Sequence, residues 1–108
     1  MPALELREYL DPAGRSPFAR WFERLEPGTA ARVASALYRL AAGNLAHVKS
    51  VGEGLLELRI DFGPGYRVYL GRRGPRDVIL LGGGTKSSQS RDVAAAKARW
   101  SSFRRDHR

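Results

Sequence analysis

Three stretches decide the fold: Leu55-Leu56-Glu57-Leu58-Arg59-Ile60-Asp61-Phe62, Tyr66-Arg67-Val68-Tyr69-Leu70 and Val78-Ile79-Leu80-Leu81. The first two alternate apolar and polar side chains with period two, the pattern of strands with one face on a core. The third is a continuous apolar run, as expected of a strand in the middle of a sheet or covered on both faces. Phe62-Gly63-Pro64-Gly65-Tyr66 joins the first two as a hairpin. A three-residue loop pairs Phe62 with Tyr66, sets Asp61 opposite Arg67 and Arg59 opposite Tyr69, and makes Arg59 and Arg67 diagonal neighbours. Leu56, Leu58, Ile60, Tyr66, Val68 and Leu70 take one face, and Glu57, Arg59, Asp61, Arg67 and Tyr69 the other. A slip of one residue would bury both arginines, so hydrophobicity fixes the parity.

Upstream, Leu4-Glu5-Leu6-Arg7-Glu8-Tyr9 alternates and reads as a first strand, ended by Asp11-Pro12-Ala13-Gly14. Ser16-Pro17 is a helix start, with serine as cap and proline at the first helical position. Phe18, Trp21, Phe22 and Leu25 then form one apolar stripe. Glu26-Pro27-Gly28 breaks that helix and Thr29 caps the next, whose buried face is Val33, Leu37, Leu40 and Ala41. Gly43-Asn44 stops it. Downstream, Gly82-Gly83-Gly84 reads as a turn into a last helix from about Ser90 to Phe103. That helix buries Val93, Ala96, Trp100 and Phe103, and a frayed tail, residues 104–108, follows. The expected class is α+β: one domain over residues 1–108, with a small antiparallel sheet, an N-terminal helical hairpin and a C-terminal helix.

Charge is uneven. The net is +8; residues 1–54 carry seven basic and six acidic groups, residues 55–108 twelve and five. Such a bias gives one face an attraction for polyanions, although a solubilising arginine-rich surface would share the composition. Cysteine is absent, which excludes disulfides and thiolate metal sites. The two histidines, His47 and His107, form no metal cluster or catalytic triad motif, so no cofactor or metal is expected. The N-terminal residues lack the features of a secretory signal and no run is long enough to span a membrane, so the expected compartment is the cytoplasm, with no membrane partner.

The outward face of the hairpin offers Arg59, Arg67 and Tyr69 to a phosphate or a base. It also suits a ladder of exposed ion pairs, Asp61 with Arg67 and Glu57 with Arg59. Gly82-Gly83-Gly84-Thr85-Lys86-Ser87-Ser88 departs from a nucleotide-binding P-loop, because Thr85 stands where glycine must precede the lysine. A glycine turn before a helix can still hold an anion with Lys86, Ser87 and Ser88; a simple strand-to-helix connection is the alternative.

Residues 54–61, Gly65-Tyr66-Arg67-Val68-Tyr69, Leu80-Leu81-Gly82-Gly83-Gly84-Thr85-Lys86 and Arg91-Asp92 closely resemble the RelE/ParE superfamily of bacterial toxins, nearest to its HigB-like addiction module killer protein branch. The likeness covers nearly the whole chain, including Trp21-Phe22. It implies a type II toxin held by a cognate antitoxin, commonly a helix-turn-helix protein encoded adjacently. It further implies an endoribonuclease that cleaves messenger RNA, free or on the ribosome, without a metal. The alternatives are a non-enzymatic toxin acting on DNA gyrase or another protein, and a non-toxic basic RNA-binding domain of the same fold. Carried onto this chain, the catalytic candidates are Arg67, Arg59 and Lys86, and the RNA-binding candidates Tyr69, Ser87, Arg91 and Lys97. Family nucleases often place a histidine, lysine or tyrosine late in the chain as acid or base. Lys97, Trp100 and His107 do not match that position, and the general acid and base stay unassigned, with Asp61 and Glu57 as carboxylates in range.

Overall fold

A computed structural model describes residues 3–107; Met1, Pro2 and Arg108 lie outside it. The elements are β1 (Glu5–Glu8), α1 (Pro17–Glu23), α2 (Pro27–Ala41), β2 (Val48–Ser50), β3 (Leu55–Ile60), β4 (Tyr66–Arg73), β5 (Asp77–Thr85) and α3 (Gln89–Asp106), with a short 3-10 turn, Lys86–Ser88, before the last helix. Five strands form one sheet in the order β1-β5-β4-β3-β2. The class is α+β as expected, but the sheet is mixed. Strands β2 to β5 run antiparallel, whereas β1 pairs with β5 in parallel, Leu6 opposite Val78 and Glu8 opposite Leu80. The two helices between β1 and β2 let the chain cross over before it returns, which parallel pairing requires.

Ser16 caps α1 as its sequence suggests: its Oγ accepts the Ala19 N–H at 3.0 Å, with Pro17 opening the helix. The next cap differs from expectation. Pro27 itself begins α2, and Glu26 is the flanking residue. Proline has no N–H to satisfy and its fixed φ already suits a first turn, so Thr29 is free to be buried inside the helix. The stripe of α1 and the Val33, Ala36 and Leu40 face of α2 cover one side of the sheet, meeting Leu58, Ile60, Val68, Leu70, Val78 and Leu80.

The other side is not open to solvent. Helix α3 lies over it, and Leu55, Tyr69, Ile79, Leu81, Ala96, Trp100 and Phe103 form a second core. The helix runs three residues beyond its expected end, so Arg104-Arg105-Asp106 is ordered rather than frayed. His107 adds to this end: its ring stacks on Phe103 at a centroid distance of 3.9 Å. No helix among the described residues is long and apolar enough to cross a membrane.

The glycine run is strand, not turn. Gly82, Gly83 and Gly84 pair with Tyr69, Val68 and Arg67 in the β4–β5 ladder, so their N–H groups do not cradle an anion. Each glycine is needed for the neighbour above it. A Cβ on Gly83 would lie 2.3 Å from the Trp21 ring, and one on Gly82 2.7 Å from Arg99. Leu81 is the extra residue of a β-bulge between these glycines and the apolar half of β5. Its carbonyl oxygen accepts a hydrogen bond from Arg99 Nη1 at 2.9 Å, which fastens α3 at the bulge.

Candidate functional site: a cationic cleft at the hairpin loop

The hairpin keeps its expected parity but not its expected register. Ile60 pairs with Tyr66, and Arg59 stands directly opposite Arg67 rather than diagonal to it. The loop is two residues longer because Phe62 leaves the ladder. Its N–H donates to the Ile60 carbonyl, and Gly65 N–H donates to the Phe62 carbonyl, both at 3.0 Å. Gly63, at φ 55°, provides the left-handed residue this turn needs. Tyr66 stacks on the displaced Phe62 ring at 6.4 Å, and the Arg32 guanidinium covers it at 4.4 Å.

Like charges directly opposite on a ladder repel. The two arginines resolve this by diverging. Arg59 is exposed and its Nη2 lies 3.7 Å from Asp61 Oδ1. Arg67 is buried and its Nε lies 3.7 Å from Glu57 Oε1. Glu57 is fully buried; Gln89 Nε2 at the start of α3 donates to its Oε2 at 2.7 Å, and Lys49 Nζ approaches Oε1 to 3.9 Å from outside. The expected ladder of exposed pairs is therefore replaced by one exposed pair, Arg59–Asp61, and one buried pair, Arg67–Glu57. Burial makes the second pair an all-or-none feature, since either charge alone beneath α3 would be uncompensated.

Lys86 joins the arginines by backbone geometry. Thr85 pairs with Tyr66, so the next residue lies beside the hairpin loop, and Lys86 N–H donates to the Gly65 carbonyl at 3.1 Å. Gly65 has φ 84°, and a Cβ there would sit 3.2 Å from Arg67 Nη1 and 3.8 Å from Lys86 Cβ. Arg59, Arg67 and Lys86 thus line one shallow cleft of about 290 Å³, with Asp61 and the loop residues Gly63, Pro64 and Gly65. Three cations converging on a small open cleft fit one phosphate better than any neutral group.

The other candidates separate. Ser87 is exposed beside the cleft, in a depression it shares with Lys86, Gln89 and Ser90, and its Oγ is 3.0 Å from Thr85 Oγ1. Arg91 is exposed on α3 and does not line the cleft. Lys97 is held at the far side of α3, where its Nζ meets Glu53 Oε2 at 3.1 Å. Tyr69 is wholly buried under α3, so its ring cannot stack on a base. Burial raises its phenol above the ordinary range, and the Glu57 and Asp92 carboxylates raise it further. Its hydroxyl has no hydrogen-bond partner among the described residues. Tyr69→Phe is accordingly expected to leave stability unchanged or raise it by up to about 1 kcal/mol, read from the urea midpoint, because an unsatisfied buried hydroxyl is removed. The sign with pH follows. A phenol raised in the fold resists ionisation, so stability holds below about pH 10 and falls as alkali forces the proton off; the Phe variant lacks that contribution to the fall.

A single polar cluster thus connects the cleft to the second core, a link the sequence does not spell out. No family model matches this chain. An uncharacterized protein of Haemophilus influenzae is 46% identical over 81 residues, which cover 74% of this chain and 82% of that protein. The chain belongs to the same family. An identity of that extent carries the fold across; the Haemophilus protein's description attaches no activity to the family's cleft.

Proposed function

We propose that this protein has the RelE/ParE-like fold and is the toxin of a type II toxin–antitoxin pair, cleaving messenger RNA in the cytoplasm without a metal. The observation that carries the reading is the convergence of Arg59, Arg67 and Lys86 on one cleft. In such cleavage the ribose 2′-oxygen attacks the adjacent phosphorus, the 5′-oxygen leaves, and negative charge builds on the non-bridging oxygens. Preorganised cations at those oxygens lower the barrier. Arg67, aimed by buried Glu57, is the fixed member; Arg59 and Lys86 close on the phosphate from the rim. Asp61 is the carboxylate lining the cleft, and the reading gives it the proton of the attacking hydroxyl. An acidic segment of a cognate helix-turn-helix antitoxin would cover the same cations.

The test is induction of the chain with RNA ends mapped, beside Arg59→Ala and Lys86→Ala. Both side chains are exposed, so their loss spares the core. Each is expected to slow cutting by about tenfold, and the double variant by about a hundredfold, within the range for removing transition-state donors. Growth arrest with DNA breaks and intact RNA would instead indicate a gyrase-directed toxin, and unaffected growth a non-toxic RNA-binding domain.

A further inference from the structure

A second basic depression adjoins the cleft. It lies between α2 and the β3 edge, has a volume of about 360 Å³, and is lined by Arg32, Ser35, Arg39, Asn44 and His47. Arg59, Asp61 and Phe62 line both depressions, which are therefore one continuous surface. Arg32 and Arg39 are seven residues apart, two turns along one side of α2. His47 is fixed next to Arg59, whose N–H donates to the His47 carbonyl at 3.0 Å. Arg39 Nη1 donates to Ser35 Oγ at 2.8 Å, and Arg32 lies flat on Phe62. Neither Arg32 nor Arg39 forms a salt bridge among the described residues.

We infer that this groove is the continuation of a single-stranded RNA track, holding the nucleotides next to the phosphate in the cleft. The inference rests on the RNA reading of the cleft and adds the strand's direction of exit. Two arguments favour nucleic acid over an acidic peptide. The groove opens into the cleft through shared Arg59, so one strand can occupy both. The guanidinium of Arg32, backed by the Phe62 and Tyr66 rings, is a planar surface of the kind on which unpaired bases stack. A carboxylate side chain needs a cation but no such plane.

The test uses the full chain and Arg32→Ala/Arg39→Ala, both exposed helix positions, with non-cleavable 2′-O-methyl RNA of two and eight nucleotides followed by fluorescence anisotropy. The variant is expected to bind the octamer about tenfold more weakly, and to lower the slope of log affinity against log salt by about 1.4, since each lost phosphate contact on a single strand removes about 0.7. Its affinity for the dinucleotide, which fills the cleft alone, stays that of the parent. An octamer affinity and slope equal to the parent's would overturn the track while leaving the cleft reading intact. Tighter binding of a polyglutamate peptide than of the octamer, lost in the same variant, would reassign the groove to a protein partner. A parent chain that binds neither RNA would remove both the track and the function it rests on.

Discussion

Glu57→Ala is expected to cost about 3–5 kcal/mol of folding free energy, the range for breaking a buried ion pair by removing one partner. Glu57 has no solvent exposure, and Arg67, its partner at 3.7 Å, keeps only 10% of its side chain exposed. With the carboxylate gone, the guanidinium is left beneath α3 without a counter-charge. Gln89, which donates to Glu57 at 2.7 Å, loses its acceptor at the same time. Lys49 can retreat to water and contributes little to the loss. Urea unfolding of three variants checks the account. Glu57→Gln retains volume and an acceptor for Gln89, so it should lose less than the alanine change. Glu57→Leu combined with Arg67→Met removes both charges and should recover most of the stability, a coupling that a double-mutant cycle measures directly. Equal losses for Glu57→Ala and the apolar double variant would show that the ion pair is not what holds this region.

Gly71→Ala is the second large effect. Gly71 pairs with Leu55 on one side and Ile79 on the other, so its backbone is held by two strands. A Cβ there would stand 2.4 Å from Trp100 Cε3 and 2.5 Å from two further ring atoms. The ring cannot slide away, because it is buried and stacked on Phe103 at 5.6 Å. Overpacking of this kind costs about 3 kcal/mol, the upper part of its usual range. For a domain of this size that lowers Tm by about 12 °C or more. Gly28→Ala is the internal control. It lies in the first turn of α2 with nothing within 4 Å of an added Cβ, and it is expected to stabilise by up to about 1 kcal/mol through the unfolded state. A drop of similar size in both variants would show that glycine loss, not the Trp100 ring, is responsible.

The parity of the hairpin was legible because period-two alternation leaves one answer: Leu56, Leu58 and Ile60 face α1 and α2, and Glu57 and Arg67 do not. What lay over the other face was harder to read. Charged residues there suggested solvent, but Val93, Ala96, Trp100 and Phe103 gave α3 an apolar stripe that needed a sheet face to cover. With α1 and α2 already occupying one face, only the second remained. Gly82-Gly83-Gly84 misled for a related reason. Glycine is a poor strand former on local grounds, and its use here depends on Trp21, Arg99 and Asp92, which are distant in sequence. Val48–Ser50 is three residues long and mostly exposed, so no alternation marks it. The parallel pairing of β1 has no local signature. Among the site residues, Arg59, Arg67 and Lys86 could be chosen from the sequence. Their convergence could not, because it depends on a five-residue loop set by Phe62 leaving the ladder.

The pairing of β1 with β5 matters during synthesis. Glu5 finds its partner at Asp77, and Glu57 finds its partner at Gln89. A chain made from its N-terminus therefore holds both an unfilled sheet edge and an uncovered carboxylate until its last third has been made. Contacts of such long sequence separation also form slowly. The Arg67 guanidinium acquires its fixed direction only when α3 closes over Glu57. A growing chain thus displays its cations one by one but cannot assemble them, and competence arrives at the end of translation.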